Sequence, residues 1–247
     1  MFIPDYIGSD FWTLPRINRD HYKIQPLLKF KEHEDELIFK KDYIPWIELE
    51  LNYSWQTWLK ELQTLDSLNL LKDYKTEYSQ GWKSFNLYND EWNDQVIENC
   101  PALVNWFKQV FEQKFKIENP FLSINLRSLD PGGFIELHKD TEENQSHTHR
   151  VIKFLVNDSK QYEVAMFYPN PMDKTKLRTK DYIGWVPFDS GKAIQLDLGN
   201  YFAARNQSEE KIYYILVKVN TLPDKDNEVW KESIKTTIGN IKKNARI

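Results

Sequence analysis

The sequence predicts a mainly β fold with flanking helices. Apolar residues recur at helical spacing in two segments before residue 118, and after Asn119-Pro120 the chain becomes a series of short alternating runs bounded by turn residues. Several short strands that follow two helices indicate a barrel or sandwich with the helices packed on one face. A chain of 247 residues is long enough for one substantial core, so we expect a single domain.

The region before the strands is expected to support the core. In the first 50 or so residues, prolines interrupt short alternating runs such as Ile47 to Leu51, which is typical of edge strands and loops. Apolar residues between Tyr53 and Tyr74 predict an amphipathic helix. A second helix is predicted to begin at Pro101 and to continue through Phe111, because proline is well tolerated in a first helical turn.

The β region begins after Pro120. It is predicted to contain a strand at 121–129, a turn at Pro131-Gly132-Gly133 and a strand at 134–137. Further strands are predicted at Arg150 to Val156, Glu163 to Tyr168, Ala193 to Leu198 and Ile212 to Val219. Past Pro223, isoleucines at helical spacing among lysines predict a short basic helix, which either docks on the body or engages a partner.

Composition narrows the classes of partner and location. The formal net charge is -4 and the pI is about 5.8, so no global positive field exists and we expect no nucleic-acid partner. Cys100 is the single cysteine, and no apolar stretch is long enough for a membrane span or a signal sequence. We therefore expect a reducing, cytoplasmic location. The 15% aromatic content suits either large core anchors or an aromatic-lined ligand cleft.

A short motif carries the candidate chemistry. The stretch GGFIELHKDT, residues 132–141, places His138 and Asp140 one residue apart at the end of an alternating strand. An imidazole and a carboxylate at this spacing are two of the three ligands in the facial triad that holds non-haem iron(II). The remaining question is where a third ligand would come from.

The order of motifs along the chain resembles one enzyme family. After His138 and Asp140 follow Trp185-Val186-Pro187-Phe188, a Gly191 turn, the strand from Ala193 and the stretch Asn200-Tyr201-Phe202-Ala203, with Gly81-Trp82-Lys83-Ser84 upstream. Over roughly residues 80–219 this succession resembles the aspartyl/asparaginyl β-hydroxylase-like family of 2-oxoglutarate- and iron(II)-dependent oxygenases.

The resemblance implies a double-stranded β-helix, a cupin-like jelly-roll whose open end holds Fe(II) and 2-oxoglutarate. It also implies hydroxylation of an amino-acid or peptide side chain, so the partner would be a small-molecule or peptide substrate. The expected organisation is one oxygenase-like domain at 1–222, with support at about 1–118 and the jelly-roll core at about 119–222, followed by a basic helical tail at 223–247.

Two positions depart from the family pattern. The family's second histidine ligand corresponds to Phe202, and its basic anchor for the 2-oxoglutarate carboxylate corresponds to Ile212. Neither side chain can perform that task. Lys211 precedes Ile212, so a one-residue bulge would bring a cation inward, although neighbouring side chains in a regular strand point to opposite faces.

Other residues are candidates to fill both gaps. His147 and His149 lie between the motif and the next strand, and the third metal position would be filled by water, His149 or His147. In that strand one register turns His149 and Lys153 inward, and the other turns Arg150 inward with Ile152, Phe154 and Val156. Either register offers one basic group, Lys153 or Arg150, to an anion.

Two functional hypotheses follow. In the first, the protein is an oxygenase with an atypical metal site built on His138 and Asp140, and Lys153, Arg150 or Lys211 holds 2-oxoglutarate. In the second, it is a catalytically silent relative, a pseudoenzyme whose barrel serves as a binding or scaffolding module. The spacing of His138 and Asp140 favours the first hypothesis, and the substitutions at Phe202 and Ile212 favour the second.

Overall fold

A computed structural model describes the chain at residues 5–7, 10–14, 46–74, 79–115, 121–139, 149–157, 160–168, 176–196, 200–220 and 228–245. Its strands are β1 (Asp5–Ile7), β2 (Trp46–Leu49), β3 (Lys72–Asp73), β4 (Ser79–Asn89), β5 (Glu91–Trp92), β6 (Phe121–His138), β7 (His149–Leu155), β8 (Tyr162–Phe167), β9 (Lys176–Arg178), β10 (Tyr182–Trp185), β11 (Ala193–Leu196), β12 (Tyr201–Asn206) and β13 (Ile212–Asn220). Its α-helices are α1 (Trp55–Ser67), α2 (Asp94–Asn99), α3 (Pro101–Trp106), α4 (Glu112–Phe115) and α5 (Glu228–Ala245).

The strands form one large curled antiparallel sheet. Its main path runs β10-β8-β12-β6-β13-β7-β11-β2, and β4 pairs with β6 as well as with the short strands β3 and β5. A separate parallel pair joins β1 to β9. The expected mainly β architecture with flanking helices is therefore present, and β2 lies at an edge of the described sheet as its proline-flanked sequence predicts.

The sheet separates two hydrophobic cores, and β13 shows how. Tyr213, Ile215 and Val217 pack in a core that includes helices α1 and α3. Ile212 and Tyr214 pack in a second core inside the curl of the sheet, which we call the barrel interior. Because side chains alternate between faces of a strand, a strand covered on both sides is apolar almost throughout.

The helical core is built from stacked aromatic rings. Trp58 of α1 is 1% exposed and lies 4.6 Å from Tyr53 and 5.7 Å from Phe107, measured between ring centroids. Phe107 begins a π-helical segment, Phe107–Phe111, that joins α3 to α4.

The helix predicted between Tyr53 and Tyr74 ends earlier than expected, at Ser67, because residues 72–73 pair with β4 as a strand.

The C-terminal helix α5 packs against β2. The backbone N–H of Glu48 donates to Thr237 Oγ1 at 2.9 Å, and that of Glu50 donates to Ser233 Oγ at 2.9 Å. Ile234 is buried in the helical core. Side chains of α5 therefore satisfy backbone donors along the exposed edge of the sheet.

Two features of the β region differ from the sequence-based expectation. Residues 79–89 form the long strand β4, which was not predicted. Pro131-Gly132-Gly133 lies within the continuous strand β6 rather than forming a hairpin turn, and the pairing of β6 with β4 shifts register there. Gly132 has φ +70°, and a Cβ on Gly133 would lie 2.8 Å from the carbonyl oxygen of Asp130, so the bend requires glycine.

Asn206 holds the end of β12 to the bend of β6. Its Nδ2 donates to the carbonyl oxygens of Leu129, Asp130 and Glu210 at 3.0, 3.1 and 2.8 Å. Its Oδ1 accepts from the backbone N–H of Ser208 at 2.9 Å. One buried amide therefore fixes the β12–β13 connection, which sets the register of the strand that carries Phe202.

Among the described helices, none is long and apolar enough to cross a membrane.

Candidate active site in the barrel interior

His138 ends β6 and is 1% exposed. Its Nδ1 lies 2.7 Å from the carbonyl oxygen of Glu136. A carbonyl can only accept a hydrogen bond, so Nδ1 carries the proton and Nε2 is the nitrogen that a metal would use. The backbone thus orients the imidazole in the way that metal-binding histidines require.

Phe202 lies directly across from His138 in the sheet. The two residues are register partners between β12 and β6, and their ring centroids are 4.3 Å apart. Phe202 is buried. The position that faces His138 therefore holds an aromatic ring, which cannot coordinate a metal.

Lys153 also approaches the Phe202 ring. It is 4% exposed, and its Nζ is 4.7 Å from the ring centroid of Phe202 and 5.6 Å from that of Tyr214. Ile152 and Phe154 pack in the helical core. Between the two registers left open by the sequence, the structure thus has Lys153 facing the barrel interior, and the register with Ile152 and Phe154 turned inward is wrong.

Aromatic rings lie beside Lys153 in the barrel interior. Tyr162 stacks on Tyr214 with ring centroids 5.9 Å apart, and burial raises the pKa of Tyr162 well above its ordinary value, with a smaller contribution from Tyr214. The ammonium of Lys153 therefore belongs to a wall of the barrel interior that also holds Phe202, Tyr214 and Tyr162.

The other basic candidates have different positions. Ile212 faces the barrel interior and is fully buried, so this position presents an apolar side chain and not a cation. Lys211 instead donates from Nζ to Asp66 Oδ2 at 2.5 Å and lies 3.7 Å from Asp130 Oδ1. The ammonium of Lys211 is paired with two carboxylates away from Phe202 and Lys153. Lys211 therefore does not point into the barrel interior, and no bulge turns it inward.

Several predicted residues fall outside the described part of the chain. Asp140 and His147 are among them. His149 and Arg150 lie in β7, where their backbones pair with Asn220 and Val219, but their side chains are not described. Over the described ranges, no group of three or more His, Cys, Asp or Glu residues could hold a metal.

Sequence reasoning missed Arg127 of β6. Arg127 pairs with Tyr214 of β13, and Leu129 two residues further on packs in the barrel interior, so Arg127 shares the interior face. Its guanidinium carbon lies over the rings of Tyr74 and Trp82, at 4.8 and 5.1 Å from their centroids. The alternation of Ile124 and Leu126 with polar residues suggested a strand with one solvated face, so nothing in the sequence marked Arg127 as buried.

Comparison with known proteins identifies the family. The family described as Aspartyl/Asparaginyl beta-hydroxylase matches residues 52–217 of the 247. The chain belongs to the aspartyl/asparaginyl β-hydroxylase family. The match spans the helical support as well as most of the large sheet. No curated protein matches the sequence.

Solved structures give the same fold. The non-heme alpha ketoglutarate dependent epimerase SnoN from nogalamycin biosynthesis matches with a TM-score of 0.50 and 7% identity over 71% of this chain and 78% of that chain. A Pseudomonas putida prolyl-4-hydroxylase matches with a TM-score of 0.48 and 11% identity over 78% and 99% of the two chains. A 2OG-Fe(II) oxygenase family oxidoreductase from Burkholderia pseudomallei matches with a TM-score of 0.42 and 9% identity over 92% and 98%. At these identities the likeness concerns the jelly-roll fold alone.

The resemblance noted in the sequence implies iron and 2-oxoglutarate, and the residues present fit these groups unequally. His138 is oriented as a metal-binding histidine would be, but Phe202 leaves the described residues without a second imidazole. Lys153 offers a buried cation to a carboxylate. Of the groups that the resemblance implies, one expected ligand therefore lies in the barrel interior, the expected position of a second holds a phenylalanine, and Lys153 lies on a different strand from Ile212.

Proposed function

We propose that this protein is an Fe(II)/2-oxoglutarate-dependent oxygenase with an atypical metal site, which hydroxylates an amino-acid or peptide side chain. The observation that carries the proposal is the buried cluster of His138, Phe202 and Lys153. It combines an oriented imidazole with an inward-facing cation in an apolar barrel, which are the two kinds of group that a metal and a carboxylate ligand need.

Each residue has a separate role in this proposal. His138, through Nε2, and Asp140 are the protein ligands of iron, and His149 is the candidate for a third ligand. Lys153 pairs with a carboxylate of 2-oxoglutarate. Iron bound with few protein ligands keeps open positions for the oxo acid and dioxygen, which is the chemistry that it supplies to such a site.

A second candidate function is a catalytically silent binding or scaffolding module. Phe202 packs on His138 at 4.3 Å, and Ile212 is fully buried, so two positions of the family pattern have become part of an apolar core. A site that no longer binds iron has no need of ligands there, and its apolar interior would serve stability alone.

An anaerobic titration of the metal-free protein with Fe(II), with and without 2-oxoglutarate, separates the two functions. Heat and the visible absorption of a chelated iron–oxo acid complex are followed together. We expect saturable binding that Asp140→Ala abolishes, whereas Asp189→Ala, which removes an exposed carboxylate, leaves it unchanged. Lys153→Met is expected to keep iron binding and to weaken the response to 2-oxoglutarate. Failure of the wild-type protein to bind iron or 2-oxoglutarate would establish the silent module instead.

A further inference from the structure

Among the described residues, Arg127 has no ion-pair partner. Of the three arginines whose side chains are described, Arg178 pairs with Asp181 at 2.6 Å and Arg205 with Glu163 at 2.5 Å. The guanidinium of Arg127 instead lies over the faces of Tyr74 and Trp82, and its Nε and Nη1 are buried with no hydrogen-bond partner in the described part of the chain. Leaving buried donors of a charged group unsatisfied is expensive, so such groups call for an explanation.

A second donor in the same cluster also lacks an acceptor. The Nε1 of Trp82 is buried and makes no hydrogen bond. Tyr74 and Trp82 are in contact, with ring centroids 4.6 Å apart, and the backbone N–H of Tyr74 donates to the carbonyl oxygen of Trp82 at 2.9 Å. The cluster therefore contains N–H groups from a guanidinium and an indole that make no hydrogen bond to any described residue.

The position of the cluster points to a ligand rather than to a purely structural role. Arg127 lies on the interior face of the sheet beside Tyr214, and Lys153 approaches the same Tyr214 ring from the neighbouring strand. Tyr74 is 44% exposed, so the cluster extends from the barrel interior to solvent. Cation–π contacts cover the face of a guanidinium but accept none of the hydrogen bonds that its edges donate.

We propose that Arg127, with the indole N–H of Trp82, binds a carboxylate group of a small ligand that enters the barrel. A carboxylate has the charge and the planar pair of acceptors that a guanidinium edge requires. The carboxylate belongs either to 2-oxoglutarate, at the end distant from its oxo group, or to an amino-acid substrate. The inference rests on the proposed function only in the choice of these compounds, because carboxylate binding is measured without iron.

The test is calorimetric titration of the metal-free protein with 2-oxoglutarate. We expect saturable binding that Arg127→Met weakens at least roughly tenfold, since charge-assisted hydrogen bonds are lost. Arg127→Lys keeps the charge without the planar fork and is expected to fall between the two. Trp82→Phe keeps an aromatic ring without the N–H and is expected to weaken binding by roughly 2- to 10-fold.

Lys83→Met is the matched control. Lys83 lies on β4 and pairs with Ser128, next to Arg127 in sequence, so it lies on the opposite face of the sheet. Its ammonium is 3.8 Å from Asp130. Removing this cation changes the net charge as Arg127→Met does. We expect 2-oxoglutarate affinity to stay within about twofold of the wild type, since Lys83 lies on the face of the sheet opposite to Arg127.

Thermal unfolding separates binding from structure. If Arg127 serves a ligand, Arg127→Met removes an unsatisfied charge, so the ligand-free variant is as stable as the wild type or more stable. 2-Oxoglutarate then raises the Tm of the wild type but not that of the variant. A large drop in Tm with unchanged 2-oxoglutarate affinity would make Arg127 a structural residue and overturn the proposal.

Ligand analogues identify the source of the carboxylate. If Arg127→Met weakens the binding of 2-oxoglutarate and glutarate but not that of 2-oxobutyrate, which lacks the distal carboxylate, the carboxylate belongs to the oxo acid. If Arg127→Met weakens the binding of N-acetylaspartate and leaves the binding of 2-oxoglutarate unchanged, the carboxylate belongs to a substrate. The proposal is wrong if the metal-free wild type binds no carboxylate, or if sulfate competes as well as glutarate at equal ionic strength. Iron binding by Arg127→Met shows separately whether the metal site of the proposed function stands.

Discussion

Replacing Phe202 by histidine tests whether this ring occupies a metal-ligand position. The substitution puts an imidazole opposite His138, at a position where the ring centroids are now 4.3 Å apart. Because outer-shell partners of metal ligands already change affinity by 10–100-fold, a restored direct ligand should tighten Fe(II) binding by at least roughly that factor. Placing a polar ring in the apolar barrel should cost about 1–3 kcal/mol of stability.

Lys153 also bears on this prediction. Its Nζ is 4.7 Å from the centre of the Phe202 ring. Like charges repel, so an ammonium beside the restored ligand opposes a bound dication, and a carboxylate of 2-oxoglutarate at Lys153 would offset part of that repulsion. We therefore expect 2-oxoglutarate to tighten Fe(II) binding by Phe202→His, and the added substitution Lys153→Met to reduce that dependence.

The assay is the anaerobic iron titration with and without 2-oxoglutarate, followed by succinate formation in air. His138→Ala in the Phe202→His background is the control, since it removes the opposing ligand. If Phe202→His leaves both iron affinity and succinate formation at the wild-type level, Phe202 does not stand at the ligand position. If iron binding is equally tight without 2-oxoglutarate, the electrostatic role given to Lys153 is refuted.

Three further predictions concern stability and reactivity. Asn206→Ala should lose about 2–4 kcal/mol in urea unfolding, because it removes the Nδ2 donor from three backbone carbonyl oxygens, and a loss under about 1 kcal/mol would contradict this role. Cys100 is fully buried, and burial chiefly, with a contribution from Glu61, raises its pKa to about 12; a thiol reagent at pH 8 should modify it at least roughly 100-fold more slowly than the unfolded chain. Partial burial raises the pKa of Asp66, but hydrogen bonds from Lys211 and Tyr213 outweigh it and hold that pKa below the ordinary value. The stabilisation from ionised Asp66 is therefore complete above about pH 4 and is lost as pH falls through the folded pKa. The difference in unfolding free energy between wild type and Asp66→Asn should shrink in acid, and a constant difference would contradict this prediction.

Local periodicity explains which elements were predictable. The helices at residues 55–67 and 101–106 and the strands β7, β8, β11 and β13 follow from spacings that repeat within a few residues. Strand β4 was not predictable in this way, because its sequence, SQGWKSFNLYN, contains glycine and several polar residues and lacks a regular apolar alternation. Its conformation comes from pairing with β6, which lies about 40 residues later in the chain.

The residues of the candidate site likewise fall into those predictable from the sequence and those placed only by the tertiary structure. The sequence alone marked His138 through its motif, and it marked Phe202 and Ile212 as departures from the family pattern, because each is a matter of residue type at a known spacing. Only the tertiary structure decided that Lys153 faces the barrel interior, that Lys211 is paired with Asp66, and that the Nε and Nη1 of Arg127 are buried beside two aromatic rings. The face of a strand that is covered, and by what, depends on residues distant in sequence, and a strand covered on both faces leaves no periodic signal from which its register can be read.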